Sequence, residues 1–154
     1  MPPHPDAGRV ELTDWTTTES AIRAIRETVF IHEQGVPVEL EWDGLDSSCA
    51  HVLAWNDRGE AIGTARMQQN GTIGRMAVLK DWRGRGVGRA LLQTLLELAT
   101  RQRLARVTLS AQTHALGFYE RAGFHVVGEP FIDAGIPHRK MEREVRSPEA
   151  YLEK

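Results

Sequence analysis

The pattern of hydrophobic and polar residues predicts a strand followed by an amphipathic helix at the start of the chain. Polar and apolar residues alternate over Arg9–Thr13, as in a short strand. The box Thr16-x-x-Glu19 predicts a helix start, and the helix should end near Gly35-Val36-Pro37. Its apolar face comprises Ala21, Ile22, Ile25, Val29 and Phe30. Residues 38–48 are acidic and lack a clean period, which predicts an irregular or short helical loop.

The rest of the chain alternates strand and helix signals with clear turns between them. Asn56-Asp57-Arg58-Gly59 is a turn between two strands, and Asn70-Gly71 is a strong hairpin signal. The predicted elements are strands at 49–55, 61–67 and 72–79, a helix at 86–101, a strand at 106–111, a helix at 114–121 stopped by Gly123, a strand at 124–128, a loop at 129–137 and a strand at 138–145. This order predicts one α/β domain at 9–146, a mixed sheet with helices on both faces. Residues 1–8 are expected to be a disordered N-terminal tail, and 147–154 a C-terminal tail.

A glycine-rich turn links the predicted strand at 72–79 to the next helix. It reads Trp82-Arg83-Gly84-Arg85-Gly86-Val87-Gly88-Arg89. Glycines let a ligand approach the backbone, the first helical N–H groups have no helix partner, and the arginines add charge. We therefore expect a phosphate site, although a turn used only for tight packing is the alternative. The turn lacks the Gly-Lys-Ser/Thr of a nucleotide-triphosphate loop and the Gly-x-Gly-x-x-Gly of a dinucleotide fingerprint.

Composition is that of an ordinary globular protein of one domain. The 154 residues are 41% hydrophobic and 26% charged. Cys49 is the only cysteine, which excludes an internal disulfide or a cysteine-based metal cluster, and the histidines are too scattered to predict a metal site. No apolar run approaches the roughly 20 residues that span a bilayer, and no secretion signal is visible, so we expect a cytoplasmic protein with no membrane partner.

The formal net charge of -2 conceals two halves of opposite sign. Residues 27–60 carry acids with Arg58 as the only base, whereas residues 75–106 are basic except for Asp81 and Glu97. A phosphorylated cofactor on the basic half and a cationic substrate on the acidic half would explain both, and two solvated faces are the alternative. Nucleic-acid binding is not expected, because the basic residues are not interleaved with a series of stacking aromatics, Trp82 being the one aromatic among them.

A second motif allows a resemblance to be named. The chain reads Gln112-Thr113-His114-Ala115-Leu116-Gly117-Phe118-Tyr119-Glu120-Arg121-Ala122-Gly123-Phe124. This segment resembles the Asn-x-x-Ala-x-x-x-Tyr-x-x-x-Gly-Phe block of the GNAT acyl-CoA-dependent N-acyltransferases, with Gln112 in place of the asparagine. Arg83-x-x-Gly86-x-Gly88 likewise resembles the Arg/Gln-x-x-Gly-x-Gly/Ala signature of that family.

Three further segments are similar to the small bacterial ElaA-like subgroup of these acetyltransferases. They are Val29-Phe30-x-x-Glu33-Gln34, Ile73-Gly74-Arg75 and Gly135-Ile136-Pro137-His138-x-x-Met141. The resemblance covers about residues 9–145. It implies the GNAT fold, a mixed and mostly antiparallel sheet splayed at its centre, between the strand through 76–78 and the strand ending at 109–111.

The resemblance also implies acetyl-CoA as donor and a primary amine as acceptor. The pantetheine arm should pair with the backbone of Met76 and Val78, and the glycine-rich turn should hold the pyrophosphate. The cofactor-binding residues implied are Met76, Ala77, Val78, Arg83, Gly84, Arg85, Gly86, Val87, Gly88, Arg89, Gln112 and Tyr119. No metal is expected.

Transfer from a thioester to an amine requires a neutral amine, a stabilised oxyanion and a protonated leaving thiolate. The resemblance implies the Val78 N–H as oxyanion donor and Tyr119 as general acid. Without the resemblance, Tyr119 would be interpreted as an aromatic residue of the core beside Phe118. Many members of the family that the chain resembles carry a glutamate on this strand, but residues 72–79 contain no carboxylate. The proton acceptor must therefore come from elsewhere, directly or through water. Glu33 is the first choice, because it ends a helix expected to border the acceptor side. The alternatives are Glu41, Asp43, His51 and His114, while His138 either is structural or lines the acceptor site.

The leading hypothesis is direct attack by a cationic small-molecule or peptide amine in a ternary complex. A covalent relay through Cys49 is not expected, because nothing places a base or a cation beside it. A catalytically silent acyl-CoA-binding module on the same fold is the competing hypothesis. A homodimer is possible.

Overall fold

A computed structural model describes residues 8–145. The tails predicted at 1–8 and 147–154 lie outside this range, except for Gly8, which bridges to Trp55 beside the first strand. The strands are β1 Arg9–Thr13, β2 Ala50–Trp55, β3 Ala61–Met67, β4 Ile73–Val78, β5 Arg106–Gln112, β6 His125–Asp133 and β7 Ile136–Glu144. The α-helices are α1 Trp15–Arg26, α2 Val38–Glu41, α3 Val87–Arg101 and α4 Leu116–Arg121. A π-helix, Glu27–Glu33, continues α1, and 3₁₀ turns occupy Asp46–Ser48, Lys80–Trp82 and Thr113–Ala115.

The sheet is divided where the chain enters the glycine-rich turn. Strands β1-β2-β3-β4 form one antiparallel sheet, and β5-β7-β6 form a second. A parallel bridge between Thr72 and Thr108 joins them, with the Thr108 N–H donating to the Gly71 carbonyl at 3.1 Å. Beyond this bridge the described parts of β4 and β5 do not pair. The splayed, mostly antiparallel sheet is therefore confirmed.

Helices cover both faces of the larger sheet, as predicted. Ile22, Ile25 and Val29 pack with Leu53, whereas α3 packs on the opposite face with the neighbouring residue Val52. The α3 side chains buried there are Val87, Leu91, Leu92, Leu95 and Leu96. Because successive residues of a strand point to opposite faces, β2 contributes to both clusters. This packing fixes the ends of α1 and α3 relative to β4.

The predicted start of α1 is wrong by two residues. Asp14 is the N-cap, and its Oδ1 accepts from the Thr17 N–H at 2.7 Å. Glu19 does not reach back to the helix start but pairs with Arg23 at 3.5 Å, one turn further on. The aspartate three residues before Thr17 provides the cap that the Thr16 box was expected to provide.

The loop predicted at 129–137 is also wrong, because β6 and β7 are long strands joined by a tight turn. Ala134 and Gly135 form that turn, with φ angles of 52° and 77°. Pro130 lies within the predicted loop, but β6 is an edge strand whose register shifts between Val127 and Phe131, and an edge bulge tolerates proline.

The acidic segment neutralises arginines from three other elements. Arg26 of α1 donates to Glu41 at 2.6 Å and to Asp46 at 2.7 Å, and Arg66 of β3 donates to Asp46 at 2.8 Å. Arg75 of β4 reaches Asp43 at 3.2 Å. These arginines lie outside the acidic stretch of sequence, so the stretch looks uncompensated when read alone. Glu41, Asp43 and Asp46 are therefore paired and do not belong to the free negative surface that the charge pattern suggested.

Candidate active site

A large cleft opens between β4 and β5 where the two sheets diverge. Its volume is about 1400 Å³, and its walls include residues 76–78 of β4, residues 109–112 of β5, the turn at 82–89 and Tyr119. The position of the cleft agrees with the expected splay. It places both motifs of the sequence around one space.

A bulge in β4 shapes one wall of the cleft. Gly74 pairs with Arg66 and Ala77 with Thr64, so Arg75 and Met76 together face a single residue of β3. Arg75 has a φ of 51°, a conformation that costs about 1 kcal/mol or more for a side chain with a Cβ. Its guanidinium donates to the Glu41 carbonyl at 3.1 Å and to Asp43, and these contacts hold the bulge. A bulge increases strand bending, which fits the separation of β4 from β5.

The N–H of Val78 points into the cleft. The neighbouring Leu79 N–H donates to the Ile62 carbonyl of β3 at 2.9 Å. Because antiparallel strands alternate the direction of their hydrogen bonds, the N–H and C=O of Val78 face the other edge. The Val78 carbonyl accepts from Arg83 Nε at 2.9 Å. The N–H on the same edge has the orientation that an oxyanion donor requires.

The glycine-rich turn exposes the start of α3. Gly86, with a φ of 85°, is the N-cap and provides no side-chain cap. The first N–H bonded within the helix is that of Ala90, to the Gly86 carbonyl at 3.1 Å, which leaves Val87, Gly88 and Arg89 without helical partners. A Cβ at Gly88 would lie 3.4 Å from the Phe118 ring, inside the cleft wall. Open N–H groups and the absence of a side chain at this point fit a diphosphate.

Arg83, the first residue of this motif, is bound to protein acceptors. Its two terminal nitrogens donate to the Glu33 carboxylate at 2.6 and 2.7 Å, and its Nε donates to Val78. The hydrogen bonds from Arg83 lower the pKa of Glu33. Glu33 is thus a stabilised anion and a poor proton acceptor, which speaks against its predicted role as base. Contact of the Arg83 side chain with the pyrophosphate stays a prediction, and this geometry does not favour it.

Tyr119 combines a packed ring with a hydroxyl at the cleft. Its ring makes edge-to-face contacts with Phe118 and Phe124, at centroid distances of 5.0 and 5.9 Å. The hydroxyl donates to the Met76 thioether at 3.7 Å, across the cleft from α4 to β4. Burial raises the pKa of Tyr119 to about 12, so the phenol keeps its proton. The core and acid interpretations are compatible, because the ring and the hydroxyl face different surroundings.

The architecture and both motifs have counterparts in known proteins. A family model described as an acetyltransferase (GNAT) domain matches residues 14–145. This chain belongs to the GNAT acetyltransferase family. Protein ElaA of Escherichia coli (strain K12) is 35% identical over 133 residues, which cover 81% of this chain and 86% of ElaA. The sequence resemblance to the ElaA-like subgroup is thereby confirmed.

Solved structures support the same assignment. The crystal structure of Escherichia coli ElaA matches with a TM-score of 0.80 and 30% identity, covering 88% of this chain and 99% of that chain. An acyl-CoA N-acyltransferase from Pseudomonas aeruginosa matches with a TM-score of 0.78 and 32% identity, covering 88% of this chain and 98% of that chain. Membership of the GNAT family implies an acyl-CoA ligand for the cleft.

Gln112, which departs from the usual asparagine of the GNAT block, lies at the cleft end of β5. Its Nε2 donates to the Gln34 Oε1 at 2.9 Å, so it contacts the residue that follows the π-helix. Both glutamines line the cleft. Contact between Gln112 and acyl-CoA stays a prediction.

The alternative bases of this GNAT domain differ in access to the cleft. His51 is buried outside the cleft lining, its Nε2 lies 2.8 Å from the Asp46 carbonyl oxygen, and burial lowers its pKa. Burial alone would raise the pKa of Asp43. Hydrogen bonds from Arg66 and the Leu45 N–H, together with the charges of Arg66 and Arg75, outweigh this effect and lower the pKa to about 2. Glu41 lines the cleft, but its carboxylate binds Arg26. His114 lines the cleft and is exposed.

His138 lines the cleft and is also held by contacts within the protein, while its role at an acceptor site stays a prediction. It lines the cleft, its Nδ1 lies 2.7 Å from the Ile136 carbonyl oxygen, and its ring stacks on Phe131 at 5.7 Å. Sequence reasoning missed four other charged residues of the cleft lining, Arg66, Arg121, Asp133 and Arg143. Asp133 was hidden by the loop expected at 129–137, and the Ala134-Gly135 turn was the signal that could have placed it.

Two general features of the GNAT domain complete the description. Among residues 8–145 there is no helix long and apolar enough to cross a bilayer. Nor does this described part contain three or more His, Cys, Asp or Glu side chains grouped as a metal site requires.

Proposed function

We propose that the protein transfers an acetyl group from acetyl-CoA to a primary amine by direct attack in a ternary complex. The observation that carries the proposal is the placement of the Val78 N–H and the Tyr119 hydroxyl on one cleft, above the open start of α3. An oxyanion donor and a proton donor are the two groups that cleavage of a thioester requires from the protein.

Each part of the cleft has a distinct task in this proposal. The open N–H groups of Val87, Gly88 and Arg89 hold the diphosphate, and the free edge of β4 pairs with the pantetheine arm. The Val78 N–H donates to the thioester oxygen, whose negative charge increases as the amine attacks. A carbon–nitrogen bond forms, the carbon–sulfur bond breaks, and Tyr119 donates its proton to the departing sulfur.

The proton of the amine leaves by a route that does not use a carboxylate of β4. Arg83 binds Glu33, and Arg26 binds Glu41, so neither carboxylate is a ready acceptor. The imidazoles of His114 and His138 line the same cleft. We infer that water in the cleft takes the proton and passes it to one of these side chains or to bulk solvent.

The acceptor is a small-molecule or peptide amine, which is cationic before it loses its proton. Asp133 lines the cleft and provides negative charge, while Phe30, Val36 and Leu40 provide apolar surface. This combination suits an amine attached to a short apolar body.

Thiol release tests the proposal directly. Purified protein with acetyl-CoA should release free CoA thiol only when a suitable polyamine, amino sugar, amino acid or peptide is added, and mass spectrometry should show the acetylated amine. Gly86→Val, which disturbs the exposed start of α3, is the matched negative control. Stabilisation by acetyl-CoA with no thiol release from any amine would contradict the transfer reaction and favour the silent binding module.

A further inference from the structure

The consecutive residues Glu33 and Gln34 contact opposite sides of the cleft. Glu33, the last residue of the π-helix, binds Arg83 on the β4 side. Gln34, the next residue, binds Gln112 at the end of β5. Beyond the bridge at Thr72 and Thr108, β4 and β5 have no strand pairing in the described chain. These side chains therefore connect two strands that the backbone leaves apart, and we call Glu33, Gln34, Arg83 and Gln112 the clamp.

The π-helix fixes where the clamp begins. The Gln34 N–H donates to the Val29 carbonyl at 3.1 Å, and the Val36 N–H donates to the Phe30 carbonyl at 2.8 Å. These wide turns change the direction of the residues that follow them, and such segments are frequent at functional sites. Val29 is buried with Ile25 in the core under the larger sheet, so the end of the π-helix is anchored to that core.

Arg83 connects the clamp to the proposed oxyanion donor. Its Nε donates to the carbonyl of Val78, the same residue whose N–H faces the cleft. The bidentate contact with Glu33 fixes the plane of the guanidinium, which a single hydrogen bond would leave free to rotate. Both side chains are over one-third exposed, at 40% and 36%, and exposed ion pairs add little to stability. The main effect of this pair is therefore to fix the orientation of the Arg83 guanidinium, and its contribution to stability is small.

We propose that Glu33 and Arg83 are positioning residues, which hold the end of β4 so that the Val78 N–H meets the thioester oxygen, while Gln34 and Gln112 hold the β5 side. The inference rests on the proposed acetyl transfer and deepens it. It assigns Glu33 a role other than base and Arg83 a role other than phosphate ligand. Substitutions that remove the clamp contacts leave the exposed N–H groups of α3 available to bind the diphosphate.

Steady-state kinetics of Glu33→Ala, Glu33→Gln, Arg83→Ala and the Glu33→Ala/Arg83→Ala double variant test the clamp. We expect kcat to fall about 10-fold in Glu33→Ala and in Arg83→Ala, because small misplacements cost this much or more. The double variant should be no slower than either single one, since both cut the same contact. Glu33→Gln should recover part of the loss, because the amide oxygen still accepts from Arg83. The Kd for acetyl-CoA should stay within about 2-fold, since N–H groups of the turn are intact.

The pH profile separates positioning from base catalysis. With a positioning role, kcat/KM of Glu33→Ala falls at every pH and its rise with pH persists. Loss of that rise, with Glu33→Gln as inactive as Glu33→Ala, would overturn the proposal and make Glu33 the base. A large increase in the Kd for acetyl-CoA in Arg83→Ala, at unchanged kcat, would overturn it and make Arg83 a phosphate ligand.

Hydrogen exchange tests the clamp independently of activity. Peptides covering β4 and Leu79 should exchange faster in Glu33→Ala than in wild type. Glu97→Gln, on the exposed face of α3, is the matched control and should alter neither exchange nor kinetics. Unchanged exchange in Glu33→Ala would refute the clamp. Absence of amine-dependent turnover in the wild type would refute acetyl transfer, while the exchange result would still decide whether the clamp exists.

Discussion

Replacing Tyr119 by phenylalanine isolates one oxygen atom of the proposed active site. The ring contacts with Phe118 and Phe124 remain, and the hydrogen bond that is lost goes to the Met76 thioether at 3.7 Å. A neutral hydrogen bond contributes about 0.5–1.5 kcal/mol, and a thioether is a weak acceptor, so the loss of stability should be below about 1 kcal/mol. For a domain of this size the melting temperature should fall by less than about 4 °C.

The effect on rate should be much larger than the effect on stability. General acid assistance is worth about 10²–10⁴-fold, and we expect the lower end because a CoA thiolate is a fair leaving group. Turnover should fall about 100-fold while the Kd for acetyl-CoA is nearly unchanged. The assay is thiol release at saturating amine, with binding measured by calorimetry and unfolding by circular dichroism.

The pKa of Tyr119 adds a prediction on pH. Burial raises this pKa to about 12, so the acid stays protonated throughout an ordinary assay range. Wild-type kcat should therefore show no decline caused by Tyr119 below about pH 11. The raised pKa also stabilises the fold below about pH 10, and this contribution is lost as pH rises toward 12. Wild-type turnover in Tyr119→Phe, with chemistry rate-limiting, would refute the acid role.

Three further predictions concern the turn, the buried ion pairs and acid stability. Gly86→Val places a β-branched residue at a φ of 85° beside the exposed start of α3. The Kd for acetyl-CoA, measured by calorimetry, should therefore rise at least about 10-fold. Normal binding would contradict the diphosphate site. Arg26→Met removes the cation shared by buried Glu41 and Asp46 but leaves Arg75 beside Glu41 and Arg66 beside Asp46. The cost in urea unfolding should therefore lie toward the lower end of about 3–5 kcal/mol, and a near-neutral value would contradict their ionic role. The low pKa of Asp43, about 2, contributes stability above about pH 4 that is lost as pH falls toward 2. In Asp43→Asn the free energy of unfolding should therefore fall less steeply as the pH is lowered. An unchanged slope of that free energy against pH would contradict the pairing.

Element order and the packed faces were predictable because hydrophobic periodicity is a local property. The spacing of Ile22, Ile25 and Val29 identified the buried face of the first helix. The glycine-rich turn could be placed because strand, glycines and helix follow one another directly in sequence. Local reasoning also failed at the loop predicted for residues 129–137, where β6 continues through Pro130 as a bulged edge strand.

Side-chain pairing across the fold could not be predicted from the sequence alone. Glu33 and Arg83 are separated by 50 positions, and Gln34 and Gln112 by 78. The choice of Glu33 as a base relied on the position of a helix end and did not include the guanidinium that faces it. The partners of Asp43 and Asp46 likewise come from α1, β3 and β4, which only the folded chain brings together.

The unpaired edge of β4 has a consequence for stability if acyl-CoA binds there as proposed. An acyl-CoA arm that pairs with this edge supplies the hydrogen bonds of a missing central strand, so the ligand becomes part of the folded structure. A ligand at 100 times its Kd stabilises the folded state by about 2.7 kcal/mol. When acyl-CoA becomes scarce, that contribution disappears, a larger fraction of molecules opens, and proteases remove them faster. The abundance of the protein should therefore follow the acyl-CoA supply of its cell.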